Sequence, residues 1–240
     1  MLRLSPSRSG EIEILDSGRY EREELHGNVS DLARYNRRFG TTRRMARAIR
    51  DLLSPDDLTA GFSLLDVGTG LADIPSDLAL HFSSRGIPVT AEGIDASEEI
   101  LEEARRYHGK EPGRIRLRLG DATDLPYPDG SFDVVICSTF LHHLDAEEAV
   151  TALREMGRVS ARGIVAIDLV RSRTALACIW LLTRLTSLNR LTRNDGPLSV
   201  RRAFTPEELS LAAARAGLEA ARVRPLGPAR MILTWSASPR

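Results

Sequence analysis

The sequence predicts an open, doubly wound α/β sheet of seven strands, mostly parallel, with an antiparallel hairpin at one edge and a helical cap before it. Three observations carry that prediction. Short β-branched runs alternate with amphipathic, helix-length segments from residue 62 to residue 170; a glycine-rich turn directly follows the first run; and residues 218–237 hold two strand-like runs about a tight turn. Short apolar strands separated by helices need parallel crossovers, and a parallel sheet is covered on both faces.

The elements follow in order. Residues 1–27 carry no long apolar core with a small-residue cleavage site, so they read as a loose leader rather than a secretory signal. Residues 28–60 read as an N-terminal helical cap, broken near Gly40 and stopped by Pro55. From 61 to 240 runs the main domain. "FSLLDVG" is its first strand, "DIPSDLALHFSSRG" a helix closed by Gly86, and "IPVTAEGID" the second strand. "SEEILEEARRYHG" is a helix with Ser97 as cap and Gly109 as terminator. "RIRLRLGD", "SFDVVICS" and "GIVAIDLV" are the third to fifth strands, with the helix "DAEEAVTALREMGRVS" before the last. An insertion at about 172–204 follows, read as an apolar helix and a basic loop. "TPEEL" then opens a helix: Thr205 caps it, Pro206 takes the first helical position and Glu208 completes a capping box. "LEAARVRPLGPARMILTWSA" gives two strands joined by a Leu-Gly-Pro turn.

Composition narrows the function classes. A chain of 240 residues, 42% of them hydrophobic, suits one such domain with additions. The 33 basic and 33 acidic residues balance, so no global field draws the protein to nucleic acid or an anionic membrane. Lys110 is the sole lysine among many arginines, a bias of the whole chain. Cys137 and Cys178, both in apolar runs, fit reduced thiols in a cytoplasmic protein; they exclude a disulfide framework or a cysteine-based zinc site.

The stretch "LLDVGTGLADIP" carries the first chemistry. Gly68 and Gly70 stand where a strand must turn sharply into a helix while backbone amides approach a ligand. A dinucleotide fingerprint needs a third glycine where this chain has Asp73, and a phosphate loop needs a Gly-Lys-Ser/Thr ending that is missing. Asp66, two residues before Gly68, would repel a pyrophosphate and welcome an ammonium. Asp95 ends the second strand, where a carboxylate accepts ribose hydroxyls, and Asp121 ends the third, within reach of an adenine amino group. A lone acid at a strand end is usually a cap; three on consecutive strands, the first beside a glycine turn, point to a ligand.

Together, "LLDVGTGLADIP", "GIDAS", "GDATDLPYPDGSFDVVICSTFLHHL" and "GIVAIDLV" resemble the class I S-adenosylmethionine-dependent methyltransferases, in the branch similar to the ubiquinone and menaquinone biosynthesis enzymes. The resemblance covers about residues 62–170 and departs at Ala72, where many relatives carry glycine. It implies a Rossmann-like seven-stranded methyltransferase sheet that binds S-adenosylmethionine and leaves S-adenosylhomocysteine. Asp66, Val67, Gly68, Thr69 and Gly70 would line the methionine side, Asp95 and Ala96 the ribose, Asp121 and Ala122 the adenine, and Ser138 would lie beside the sulfonium.

Methyl transfer to a hydroxyl or acidic carbon needs a base. His142 and His143 follow the fourth strand on the cofactor edge, with His143 slightly preferred; Asp168, near the end of the fifth strand, would orient an acceptor or a histidine. Arg171 is a partner for an acceptor carboxylate or phenolate, or else a solvated strand-end arginine. Trp180, in an apolar helix too short to span a bilayer, is expected to touch a bulky acceptor; that helix is a lid, core packing, a dimer face or an interfacial helix. Tyr35 and Asn36 are the cap residues expected in the pocket. Arginines between 34 and 50 and between 190 and 202 would form an anionic-substrate or RNA face only if they converge; net neutrality favours solvated charge. The expectation is a cytoplasmic enzyme that methylates oxygen or carbon of a small, apolar or aromatic metabolite, with no metal and no nucleic acid, and with a homodimer possible. Its rivals are a catalytically silent S-adenosylmethionine-binding partner subunit and, below that, an RNA or protein methyltransferase.

Overall fold

The computed structural model describes residues 7–109 and 115–237. Its strands are β1 (Phe62–Val67), β2 (Val89–Asp95), β3 (Ile115–Leu119), β4 (Phe132–Ser138), β5 (Ser160–Leu169), β6 (Arg222–Pro225) and β7 (Arg230–Ser236). They form one sheet in the order β3-β2-β1-β4-β5-β7-β6, parallel from β1 to β5, with β7 antiparallel to both its neighbours. This is the seven-stranded sheet and edge hairpin that the alternating pattern predicts. Because chain order reverses between β1 and β4, their carboxyl ends part and leave a crevice.

The helices are α1 (Ile14–Ser17), α2 (Arg22–Arg38), α3 (Thr41–Leu52), α4 (Pro55–Ala60), α5 (Asp73–Ser83), α6 (Glu98–His108), α7 (Ala146–Val159), α8 (Arg173–Thr186), α9 (Arg190–Arg202) and α10 (Pro206–Arg215). Strand residues alternate between two cores. Leu65, Val135 and Ile164 pack with Leu153, Met156 and Leu209 of α7 and α10, whereas Leu64, Ile136 and Val165 pack with Met45, Ile49 and Phe82 of α3 and α5. The period of two is what a strand buried on both faces requires. Local signals set the helix starts: Ser97, Asp145 and Thr205 each accept a backbone amide of their own first turn.

Two expectations are corrected. The leader is not loose over its described part: α2 starts at Arg22 rather than Asn28, and Glu13 is buried and accepts the Ser199 hydroxyl at 2.9 Å. Asp195 of α9 accepts the amides of Ile14 and Leu15, each at 3.0 Å, and so caps α1 from another helix. The basic loop is instead α9, capped by Asn189, which accepts the Thr192 amide at 3.1 Å. Gly196 and Pro197 read as breakers, but a Cβ on Gly196 would lie 2.8 Å from Thr183 Cγ2, so the glycine lets α9 close against α8. Tertiary packing overrides propensity there. Residues 1–6 of the expected leader, and Arg114 at the start of the expected third strand, lie outside the described residues. No helix among the described residues is long and apolar enough to cross a membrane.

Candidate active site

The turn after β1 is built by backbone geometry. Gly68 and Gly70 take the left-handed region, with φ of 67° and 56°. The amides of Gly68 and Thr69 both donate to the Ile94 carbonyl, which pulls the turn against β2. A Cβ on Gly68 would sit 2.2 Å from the Phe140 ring, whereas at Gly70 it would project into open space. Ala72, the departure from the family pattern, takes φ 54° with its methyl buried, at a cost of about 1 kcal/mol.

A cavity of about 560 Å³ opens over this turn, and every residue expected to bind cofactor lines it, from Asp66 to Gly70 and on through Asp95, Ala96, Asp121, Ala122 and Ser138. Asp66 is buried; Thr69 donates to its Oδ2 at 2.8 Å, and Oδ1 has no hydrogen-bond partner. Burial pushes its carboxyl up to about 8 against the Thr69 hydrogen bond, with the charges of Asp73 and Asp95 adding to the rise. Asp95 accepts the amides of Gly70 (3.0 Å) and Ser97 (3.1 Å), and burial raises its pKa despite them. Asp121 accepts the Thr123 amide and hydroxyl, both at 2.8 Å. The Ser138 hydroxyl is buried without a partner. A crevice with converging acids, one carrying an orphaned oxygen, fits an ammonium-bearing nucleoside and rejects a diphosphate.

Sequence reasoning missed Asp73, which accepts the Asn36 amide at 3.2 Å, and the wall formed by Leu15, Asp16 and Tyr20. The Tyr20 hydroxyl donates to Glu99 at 2.9 Å and ties this N-terminal strap to α6.

A second cavity of about 590 Å³ adjoins the first; both are lined by Leu15, Leu32, Asn36, Thr139 and His143. Its walls are mainly apolar side chains of α8, with Tyr35 of α2 opposite. His142 is buried on this wall; its Nδ1 lies 2.6 Å from Asp168 Oδ1, and its backbone amide donates to Oδ2 at 3.1 Å. Since the carboxylate only accepts, Nδ1 carries the proton. His143 Nδ1 donates to Asp16 at 3.0 Å; burial lowers its pKa, but Glu13, Asp16 and Asp168 outweigh that and push it up to about 9. Arg202 fixes the histidine turn by donating to the carbonyls of His142 (3.2 Å) and His143 (2.6 Å). Glu13, His142 and His143 bring one ligand atom each within 4.8 Å of one another, but Arg202, 3.9 Å from Glu13 Oε1, and the Asp16 bond to His143 compete with any cation.

Two expected acceptor residues lie elsewhere. Arg171 is buried, donating to the Ala203 carbonyl and to Glu208, and lines neither cavity; its arginine locks the start of α10 to the end of β5. Trp180 is half exposed under the Arg184 guanidinium and also lines neither, because it occupies the outer face of α8 while Ile179 and Leu182 face inward.

Residues 64–163 match the family model described as a methyltransferase domain. That stretch is a methyltransferase domain. The 27-O-demethylrifamycin SV methyltransferase of Amycolatopsis mediterranei is 36% identical over 110 residues, 43% of this chain and 39% of that protein. The demethylmenaquinone methyltransferase of Deinococcus radiodurans is 36% identical over 100 residues, 42% of this chain and 39% of that one. The chain thus spans less than half the length of these curated relatives. Among solved structures, a possible histamine N-methyltransferase from Thermotoga maritima shares the fold at TM-score 0.58 and 18% identity, over 91% of this chain and all of that one. The magnesium protoporphyrin IX methyltransferase of Synechocystis, with bound S-adenosylhomocysteine, does so at TM-score 0.56 and 14% identity, over 96% and 90%. The matched stretch of the methyltransferase domain runs from β1 into β5 and holds both histidines; the strap, α2, α8 and α9, which enclose the second cavity, lie outside it.

Proposed function

We propose that this chain transfers a methyl group from S-adenosylmethionine to oxygen or carbon of a small apolar or aromatic metabolite in the cytoplasm. One observation carries the reading: an acidic cavity with an orphaned carboxylate oxygen abuts an apolar cavity, and an imidazole–carboxylate pair stands on the apolar wall. Asp66 would take the ammonium of the cofactor, Asp95 its ribose hydroxyls and Asp121 its adenine edge, with Ser138 on the methionine side. Bound S-adenosylmethionine supplies an electrophilic methyl on a sulfonium. The protein's task is then to align an acceptor and exclude water, which is worth about 7–11 kcal/mol of barrier in well-positioned systems.

For proton removal the geometry favours His142 over His143. Asp168 holds the His142 Nδ1 proton, so Nε2 keeps a lone pair to accept a proton from the acceptor, and the same carboxylate stabilises the imidazolium that results. His143, pushed up to about 9 and bonded to Asp16, already holds its second proton at neutral pH.

The test is turnover of labelled S-adenosylmethionine with a crude metabolite extract, run beside calorimetry with S-adenosylhomocysteine. His142→Ala should lower turnover by about 10²- to 10⁴-fold and leave cofactor affinity in place. Asp95→Ala should weaken cofactor binding by about 1–3 kcal/mol. A fully active His142→Ala variant removes the base; cofactor binding without turnover on any extract favours the silent partner subunit.

A further inference from the structure

The second cavity carries charges that the methyl-transfer reading leaves unused. Its acids are all bonded within the protein: Asp195 caps α1, Glu13 accepts the Ser199 hydroxyl, and Asp168, behind the wall, holds His142. Its histidines are held in the same way, His142 by Asp168 and His143 by Asp16. The arginines lack an acid partner. Arg230, at the start of β7 opposite Leu169, donates to the Thr41 hydroxyl at 2.6 Å and lies 5.6 Å from the centre of the Phe39 ring. Among the described residues it has no carboxylate within 4.0 Å, and the guanidinium of Arg44, on the same cavity wall, has no hydrogen-bond or ion-pair partner. Two guanidinium groups thus share an apolar wall without a counter-ion. Burial of Arg230 disfavours its charged form, Asp168 offsets part of this, and Arg44 adds to the cost. A partly buried guanidinium without an acid beside it is disfavoured, and an oxyanion delivered by a ligand offsets that with bidentate geometry.

We infer that the acceptor carries a carboxylate-class anion on an apolar body, received by Arg230 and Arg44 while its reacting end lies toward Thr139 and the two histidines. The inference rests on the reading of the second cavity as the acceptor site. It replaces Arg171, which the sequence singled out for this role, with an arginine from the edge hairpin. Tyr35 and the inner face of α8 would enclose the apolar body, and the cofactor cavity begins where Thr139 and His143 are shared.

Cys178 gives a readout independent of turnover. It lines this cavity and is exposed, whereas Cys137 is buried, so a maleimide reports the occupancy of the cavity alone. Decanoate, decanol and decylammonium, equal in length and different in charge, are the probes, with the full chain as it stands. Decanoate should protect Cys178 at a concentration at least tenfold lower than decanol, and decylammonium should protect least. Arg230→Met, which keeps the apolar stem, should bring decanoate and decanol within about threefold of one another, and Arg230→Lys should restore part of the preference. Arg44→Met, at an exposed position, should reduce the preference by a smaller factor, and it decides the matter if Arg230→Met does not fold. Equal protection by decanoate and decanol, no protection by decanoate, or an undiminished preference in Arg44→Met together with any folded Arg230→Met overturns the inference. Calorimetry with S-adenosylhomocysteine on the same protein separates the two readings: cofactor binding without a decanoate preference defeats this inference alone, whereas absent cofactor binding defeats the methyltransferase reading.

Discussion

Asp66 holds its proton near neutrality because its carboxyl is buried and faces the charges of Asp73 and Asp95; its pKa rises from 3.8 to about 8. A bound ammonium reverses that balance, since an opposite charge at contact favours the carboxylate. At pH 6.5, binding of S-adenosylhomocysteine should therefore release close to one proton, measured as the difference in binding heat between buffers of unlike ionisation enthalpy. Asp66→Asn should bind more weakly and release none from this position; release equal to wild type would assign the proton to another group. This residue was legible in the sequence for a local reason. Asp66, Asp95 and Asp121 each lie at or within two residues of a strand end, and strand ends in a parallel sheet converge on one rim, so chain position alone brought them together. Arg230 was not legible, because it enters the acceptor cavity only through the antiparallel pairing of β7 with β5. The histidine order was half legible: adjacency says that two imidazoles differ in direction, but which one meets Asp168 depends on the turn that Arg202 holds.

At the scale of elements, the sheet, its order and the helix caps were legible because each has a period or a local stop signal. The strap and α9 were not, since their reasons lie in each other. α1 has four residues and no side-chain cap of its own, so its first amides depend on Asp195 of α9. α9 in turn carries Gly196 and Pro197, which local rules count against a helix, and it is held by contact with α8 and by Asn28 of α2, whose amide donates to Thr192 at 3.2 Å. Asp195→Ala should thus unfasten the strap from both cavities. The expected cost is about 1–2 kcal/mol in chemical denaturation, as for a lost cap. It should come with faster alkylation of Cys178, because the strap residues Glu13 and Leu15 wall the same cavity. Unchanged stability and unchanged alkylation would show that the strap is held by its apolar contacts alone, chiefly Leu15 and Tyr20 against Leu25 and Val29.

Across the whole molecule, the acids gathered for the cofactor set how stability depends on pH. Asp66, Asp73 and Asp95 all have pKa values raised in the folded chain, first by burial. A raised acid binds its proton more tightly folded than unfolded, so its contribution is complete below its ordinary 3.8 and is lost as pH rises, for Asp66 up to about 8. His143, raised from 6.5 to about 9, also contributes fully below 6.5 and loses that contribution as pH climbs through 9. Asp16 and Asp168, held below the ordinary value by their histidines despite burial, act in the opposite sense and lose stability only in acid. The sum places the cofactor-free optimum on the acid side of the range common to folded proteins, below about pH 5.5. The Tm should fall from there to pH 8.5, with each kcal/mol worth about 2–4 °C in a chain of this size. S-adenosylhomocysteine should raise the Tm more at pH 7 than at pH 5.5, because it compensates a carboxylate that must otherwise ionise unpaired, and its own α-amino group is protonated at both pH values. Asp66→Asn should flatten the fall between pH 5.5 and 7.5, and His143→Gln the part above pH 7. A Tm that is level or rising from pH 5.5 to 8.5 in the cofactor-free protein would mean that these acids are hydrated, and that the rim of the sheet is not the desolvated ammonium site on which the methyl-transfer reading stands.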